Sequence, residues 1–226
     1  MTFFRTALLV VRKDLAIEAK NLEIVSTTLF FAFGCVLVFA FALVKDGQAP
    51  PDSAAAILWI TILFAGTLAL GRTFERERYG ETLRALLLAP APRPALYVGK
   101  LLGMLCLLGL AELALVPAVA LLFSAPLFER PVLLVLLLAT GTVGFSAVGT
   151  LFAAMLMRAR TRDVLLPILL YPITIPVIIA GVRGTSALLA SPVDEPTAIM
   201  WLAILFFFDV VFVTLSLWTF EPLMTE

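Results

Sequence analysis

Two carboxylates stand where carboxylates are expensive. Glu112 lies near the middle of an apolar run from 97 to 123, and Asp209 near the middle of another from 198 to 220. A charged side chain at the centre of a bilayer costs about 2.5–3.5 kcal/mol on insertion scales if it faces lipid. Both acids are therefore expected to face inward. There they can line a polar path, carry protons or bond to a neighbouring helix. No basic residue lies deep in any apolar run to pair with them. Other reactive side chains are few. The chain has no histidine, which removes the commonest general base and the commonest metal and haem ligand. It also leaves no Ser–His or Cys–His pair for nucleophilic catalysis. Cys35 and Cys106 sit inside apolar runs, without CxxC or metal spacing, and read as small buried apolar residues. Gly99-Lys100 lacks the upstream glycine of a P-loop and is followed by Leu101, so ATP has no Walker-type cradle here. No HExxH or EF-hand pattern occurs. Little is left from which to build an enzyme, and no metal site is expected.

The elements that must position these acids follow from composition. Of 226 residues, 62% are hydrophobic and only 14% charged, against about 45–50% and about 25% in soluble domains. A water-soluble core cannot hide that much apolar surface, so the expected solvent is the bilayer. A spanning helix needs roughly 20 mostly apolar residues. Six segments qualify, near 23–44, 55–72, 97–123, 132–157, 164–182 and 198–220. The expected fold is an all-α integral membrane protein, one transmembrane domain over 1–226. Ahead of it, residues 2–20 carry Phe4, Leu8, Val11 and Leu15 at helical spacing, with charges mostly elsewhere. That stretch is expected to be an amphipathic helix in the interface plane, with a solvated tail as the alternative. Its charges are too evenly spread for a cleaved signal peptide.

The net charge is zero, but its distribution is not even. Arg5, Arg12, Lys13 and Lys20 precede the first span. Arg72, Arg76, Arg78, Arg84, Arg93 and Lys100 surround the second connection, and Arg158, Arg160 and Arg162 form the fourth. These 13 of the 16 basic residues share one side; only Lys45, Arg130 and Arg183 lie on the other. The positive-inside rule puts the 13 in the cytoplasm. The split requires an even number of spans, which agrees with six and places both termini in the cytoplasm.

Three further stretches carry signals. In 71–100, Gly80 interrupts one helical stretch and Pro90 stops a second. A short helix of about two turns is expected between them, presenting Glu81, Arg84 and nearby leucines. Such an element suits docking into a groove on a cytoplasmic partner, leucines anchoring and charges setting register. The bland alternative is a solvated loop. The fifth run, DVLLPILLYPITIPVIIAG, holds Pro167, Pro172 and Pro176. A broken helix beside a pathway or gate is one reading, and a bent packing helix the other. In the fourth run, Thr142, Ser146, Thr150 and Ala154 recur every four residues beside Gly141, Gly144 and Gly149. That is a packing face, within the bundle or between two copies.

Residues 56–100, AILWITILFAGTLALGRTFERERYGETLRALLLAPAPRPALYVGK, resemble the CcmB family, haem exporter protein B. RKDLAIEAKN at 12–21 is similar to that family's entry helix. LLPILLYPITIPVIIAG at 165–181 is similar to its proline-rich fifth span, with Tyr171 where leucine is more usual before Pro172. The resemblance covers almost the whole chain. It implies the membrane permease subunit of an ABC transporter for cytochrome c maturation, similar to ABC-2 permeases and placed in a bacterial-type inner membrane. It implies a soluble ATPase subunit in two copies that binds ATP, a companion haem-handling membrane protein and a small membrane subunit. The short helix after Gly80 then becomes the coupling helix, and Glu75, Arg76, Glu77, Arg78, Gly80, Glu81, Thr82, Leu83, Arg84 and Leu86 the ATPase-coupling residues. Pathway or gate candidates are Glu112, Tyr171, Pro172, Pro176 and Asp209. Without histidine the chain supplies no histidine axial ligand, so haem is expected as a handled ligand and no cofactor as resident. Six spans are few for a gated path, so a homodimer in membrane lipid is expected, with no nucleic-acid partner. Three alternatives stay open: an ABC-2 permease for a lipid, glycan or drug; a non-transporting scaffold of the haem-handling complex; and an ATP-independent transporter using Glu112 and Asp209.

Overall fold

The computed structural model describes residues 3–46, 49–50, 52–73, 92–159 and 161–223. The described residues form helices and no strand: α1 (Phe3–Asn21), α2 (Glu23–Leu43), α3 (Ser53–Thr73), α4 (Arg93–Leu122), α5 (Pro131–Met155), a 3₁₀ turn (Leu156–Arg158), α6 (Arg162–Leu189) and α7 (Glu195–Leu223). Helices α2 to α7 are each long and apolar enough to cross a membrane. This is the only regular structure that satisfies its own backbone within one segment, as hydrocarbon demands.

Helix α5 is the hub. It packs on α3, α4, α6 and α7, and its Thr142, Ser146, Thr150 and Ala154 are all buried. The small-residue face works inside the bundle. Trp59 of α3 shows why small residues are needed. Its ring is 1% exposed, and a Cβ at Gly141 of α5 or Gly181 of α6 would stand 2.2 or 2.4 Å from it. The two glycines make a socket, and Trp59 Nε1 donates to Thr185 Oγ1 at 2.9 Å. On the far side of α5, the Tyr97 hydroxyl of α4 donates to the Ala147 carbonyl at 3.0 Å.

Helix α6 corrects two expectations. It is one uninterrupted helix through Pro167, Pro172 and Pro176. Pro172 and Pro176 are exposed, so the carbonyls they deprive of a donor belong to the outer face, while Leu166, Leu170, Thr174 and Val177 pack inward. The inner face holds the helix together. It also runs to Leu189 rather than 182, because Gly184, Thr185, Ala187 and Leu188 remain buried. Asp194 then caps α7, accepting from Thr197 N at 3.1 Å; its hydrogen bonds to Thr197 lower its pKa below the usual aspartate value.

Helix α1 forms where expected and docks on the bundle through its smaller side chains. Thr6, Ala7, Val10 and Val11 are buried, with Val10 seated against Gly99 of α4. Phe4, Leu8 and Leu15 are exposed. The large apolar stripe is therefore left for the surroundings, and small side chains bring α1 close to α4. Cys106 likewise sits on the exposed surface of α4 rather than inside the bundle.

Candidate functional site

The two acids flank α5. Glu112 of α4 is 8% exposed, and its Oε1 accepts a hydrogen bond from the Thr142 hydroxyl of α5. Asp209 of α7 is also 8% exposed. Its Oδ1 has no hydrogen-bond partner and lies against Gly144 of α5, where a Cβ would approach it to 2.7 Å. Thr142 and Gly144 are two residues apart. That places them about 3 Å apart along the axis and about 200° apart around it. The acids thus meet α5 at one depth, on opposite sides. Interhelical bonding describes Glu112; Asp209 Oδ1 instead fits against a glycine notch.

Glu112 also borders open space. A groove of about 470 Å³ runs between α4 and α5, walled by Gly109, Val116, Leu138 and Ala139 and ending near Phe128 and Pro131. Glu112 and Thr142 are the polar groups of an otherwise apolar lining. Such a groove accepts an apolar body and offers it one hydrogen-bonding point.

Tyr171, Pro172 and Pro176 do not join this arrangement. Tyr171 lies edge-on to Phe64 of α3, ring centroids 6.1 Å apart, and lines a separate cleft with Asp163, Pro167, Glu23 and Arg72. The two prolines face outward. Glu75, Arg76, Glu77, Arg78, Gly80, Glu81, Thr82, Leu83, Arg84 and Leu86 lie outside the described residues.

The flanks of that connection are described, and they hold residues that charge counting treated only as topology signals. Lys100 Nζ is 2.9 Å from Asp14 Oδ2 and donates to the Thr73 carbonyl at 3.1 Å. Arg162, 2% exposed, donates to the Leu70 carbonyl at 2.9 Å. Arg72 pairs with Glu23 at 3.2 Å. The last carbonyls of a helix have no intrahelical donor and carry partial negative charge. Cations from α4 and α6 therefore finish α3 where the chain leaves toward 74–91, and Asp14 keys α1 to the same point. Basic residues near a helix end were the available signal; which carbonyl each would reach was not.

Comparison with known proteins supplies the family. The CcmB protein family model matches residues 5–222. The chain belongs to the CcmB family. Among relatives, the haem exporter protein B of Pseudomonas aeruginosa is 29% identical over 199 residues, 87% of each chain. That of Escherichia coli strain K12 is 31% identical over 202 residues, covering 88% of this chain and 89% of the relative. That of Rhodobacter capsulatus is 31% identical over 175 residues, 76% and 78% of the two chains. The CcmB match takes in α1, all six long helices and the 74–91 connection.

Proposed function

We propose that this chain is the transmembrane permease subunit of an ABC-type haem exporter acting in cytochrome c biogenesis. The observation that carries the reading is the family match over 5–222, on a fold whose six long helices can each cross a membrane. A soluble ATPase, two copies per homodimer of this chain, supplies the energy by binding and hydrolysing ATP. Residues 75–86 seat on it as the coupling element. Motion there passes to α3 and α4, whose ends are tied together by Lys100 and Thr73, and so toward α5 and the two acids. A companion haem-handling membrane protein and a small membrane subunit complete the complex. Axial ligation of haem belongs to the companion, since this chain offers no histidine. The protein sits in a bacterial-type inner membrane, both termini cytoplasmic, as the 13-to-3 split of basic residues supports.

The test is to tag the chain, extract it gently and identify what copurifies, with and without Glu81→Ala plus Arg84→Ala. A Walker-type ATPase and a cytochrome c maturation membrane protein are expected with the unaltered chain, and at least tenfold less ATPase with the double substitution at unchanged membrane insertion. An intact complex after both substitutions removes residues 75–86 from the coupling role. Copurification without any ATPase removes the transporter reading.

A further inference from the structure

The groove beside Glu112 has a floor and two edges. Val116, Leu134 and Leu138 are buried along the floor together with Glu112 and Thr142. Gly109, Leu113 and Pro117 of α4 stand exposed along one edge, and Val135 and Ala139 of α5 along the other. On each helix these positions recur three or four residues apart, so the groove runs along both axes. Its lining reaches from Leu105 to Pro117 on α4 and from Pro131 to Val143 on α5, about 18 Å of each helix. The edges are low at Gly109 and Ala139, and a Cβ at Gly109 would meet nothing within 4 Å. Small residues in such positions let another helix approach closely in a membrane.

The polar point lies deep. The Thr142 hydroxyl gives its hydrogen to Glu112 Oε1, while Glu112 Oε2, unlike Asp209 Oδ1, is not sealed in. Pro117, inside α4, has no N–H for the Leu113 carbonyl one turn back, which adds an acceptor to the same edge. Glu112 is ten residues from the end of α4 at Leu122, and Thr142 eleven from the start of α5 at Pro131. Either count is about 15 Å, half of a hydrocarbon core of about 30 Å. A phospholipid entering from the nearer surface keeps its donors at the headgroup and brings only methyl ends to this depth. A porphyrin brings carboxylates, and no base lines the groove to offset them. A helix that crosses the bilayer can hold a side-chain amide at the middle. An amide carries two donors and an acceptor, so it bonds the Glu112 carboxyl whether that group is charged or neutral.

We propose that this groove seats one transmembrane helix of another membrane subunit, its backbone close to Gly109 and Ala139 and an Asn or Gln near its middle bonded to Glu112. The inference rests on the reading of the chain as one subunit of a membrane complex; its test involves no ATPase, so either can fail alone. The seat lies across α5 from Asp209, which leaves the glycine notch untouched by the partner.

Native mass spectrometry of the full chain reads the occupant. The probes are synthetic leucine helices of about 20 residues with Asn at the middle, Asn near one end, or no Asn. We expect the middle-Asn helix to bind one per chain, at least threefold tighter than the other two. Gly109→Leu and Ala139→Leu narrow the groove from either edge, and each should weaken that binding at least fivefold at unchanged Tm. Glu112→Ala should leave the three helices bound equally. Equal binding of the three helices by the unaltered chain, binding unmoved by both leucine substitutions, or a second copy of the chain or a phospholipid as the species that Gly109→Leu displaces would each overturn the proposal.

Discussion

Glu112 and Asp209 meet α5 at the same depth, yet their surroundings differ in kind. On the Glu112 side a hydroxyl faces the acid and a groove opens beside it. On the Asp209 side a glycine faces the acid, and one carboxylate oxygen has no partner. The first arrangement is a bond plus an entrance; the second is a close fit around a group left unsatisfied. Burying a polar group without a partner costs far more than bonding it gains. The Asp209 side therefore carries a desolvation cost at Oδ1 that no hydrogen bond among the described residues offsets, whereas the Glu112 side can be explained by helix–helix attachment alone.

The comparison is broken or sharpened most strongly at Gly144. Gly144→Ala puts a methyl 2.7 Å from Asp209 Oδ1 and 3.0 Å from Phe208. Overpacking of this sort costs about 2 kcal/mol, read as a lower denaturant midpoint in detergent. Adding Asp209→Ala should recover part of that loss; no recovery would mean the notch does not belong to the acid. Next in size is Thr142→Val, which removes the donor to Glu112. Interhelical hydrogen bonds in membranes average about 0.6 kcal/mol and reach about 1.7, so a loss in that range is expected, and in a Glu112→Ala background, where the acceptor is gone, the same substitution should cost less. The smallest effect is Asp209→Asn. Asn keeps the shape and Oδ1 has no partner to lose, so the denaturant midpoint should not fall. Haem-dependent cytochrome c maturation should nevertheless fall; full activity at unchanged stability would leave Asp209 without a functional role.

Much of the architecture was legible in the chain. Six apolar runs of spanning length predicted six helices, and their centres agree with α2 to α7. The four-residue spacing of Thr142, Ser146, Thr150 and Ala154 marked a packing face, since a period near 3.6 keeps such residues on one side of a helix. The resemblance at 56–100 and 165–181 pointed to the family that matches over 5–222. The prolines of α6 were harder. A lost donor is a local fact, but whether the helix breaks depends on what its other face packs against, and that face is buried. The apolar spacing of α1 marked a helix, but it did not show that Thr6, Ala7 and Val10 would dock that helix on α4, where close approach to Gly99 favours small side chains over large ones.

By itself the sequence determined that the chain lives in a bilayer, how many times it can cross, and that Glu112 and Asp209 must avoid lipid. These follow from composition, length and desolvation cost, all of which act within one segment. Only the tertiary structure decided that Thr142 answers Glu112, that Gly144 answers Asp209, and that Lys100 and Arg162 finish α3. Each of those pairs joins residues at least 27 positions apart, and their meeting depends on how helices rotate and slide against one another. Apolar runs of near-uniform hydrophobicity carry almost no information about rotation, so the facing of each acid emerges only when the small residues of α5 interlock with their neighbours.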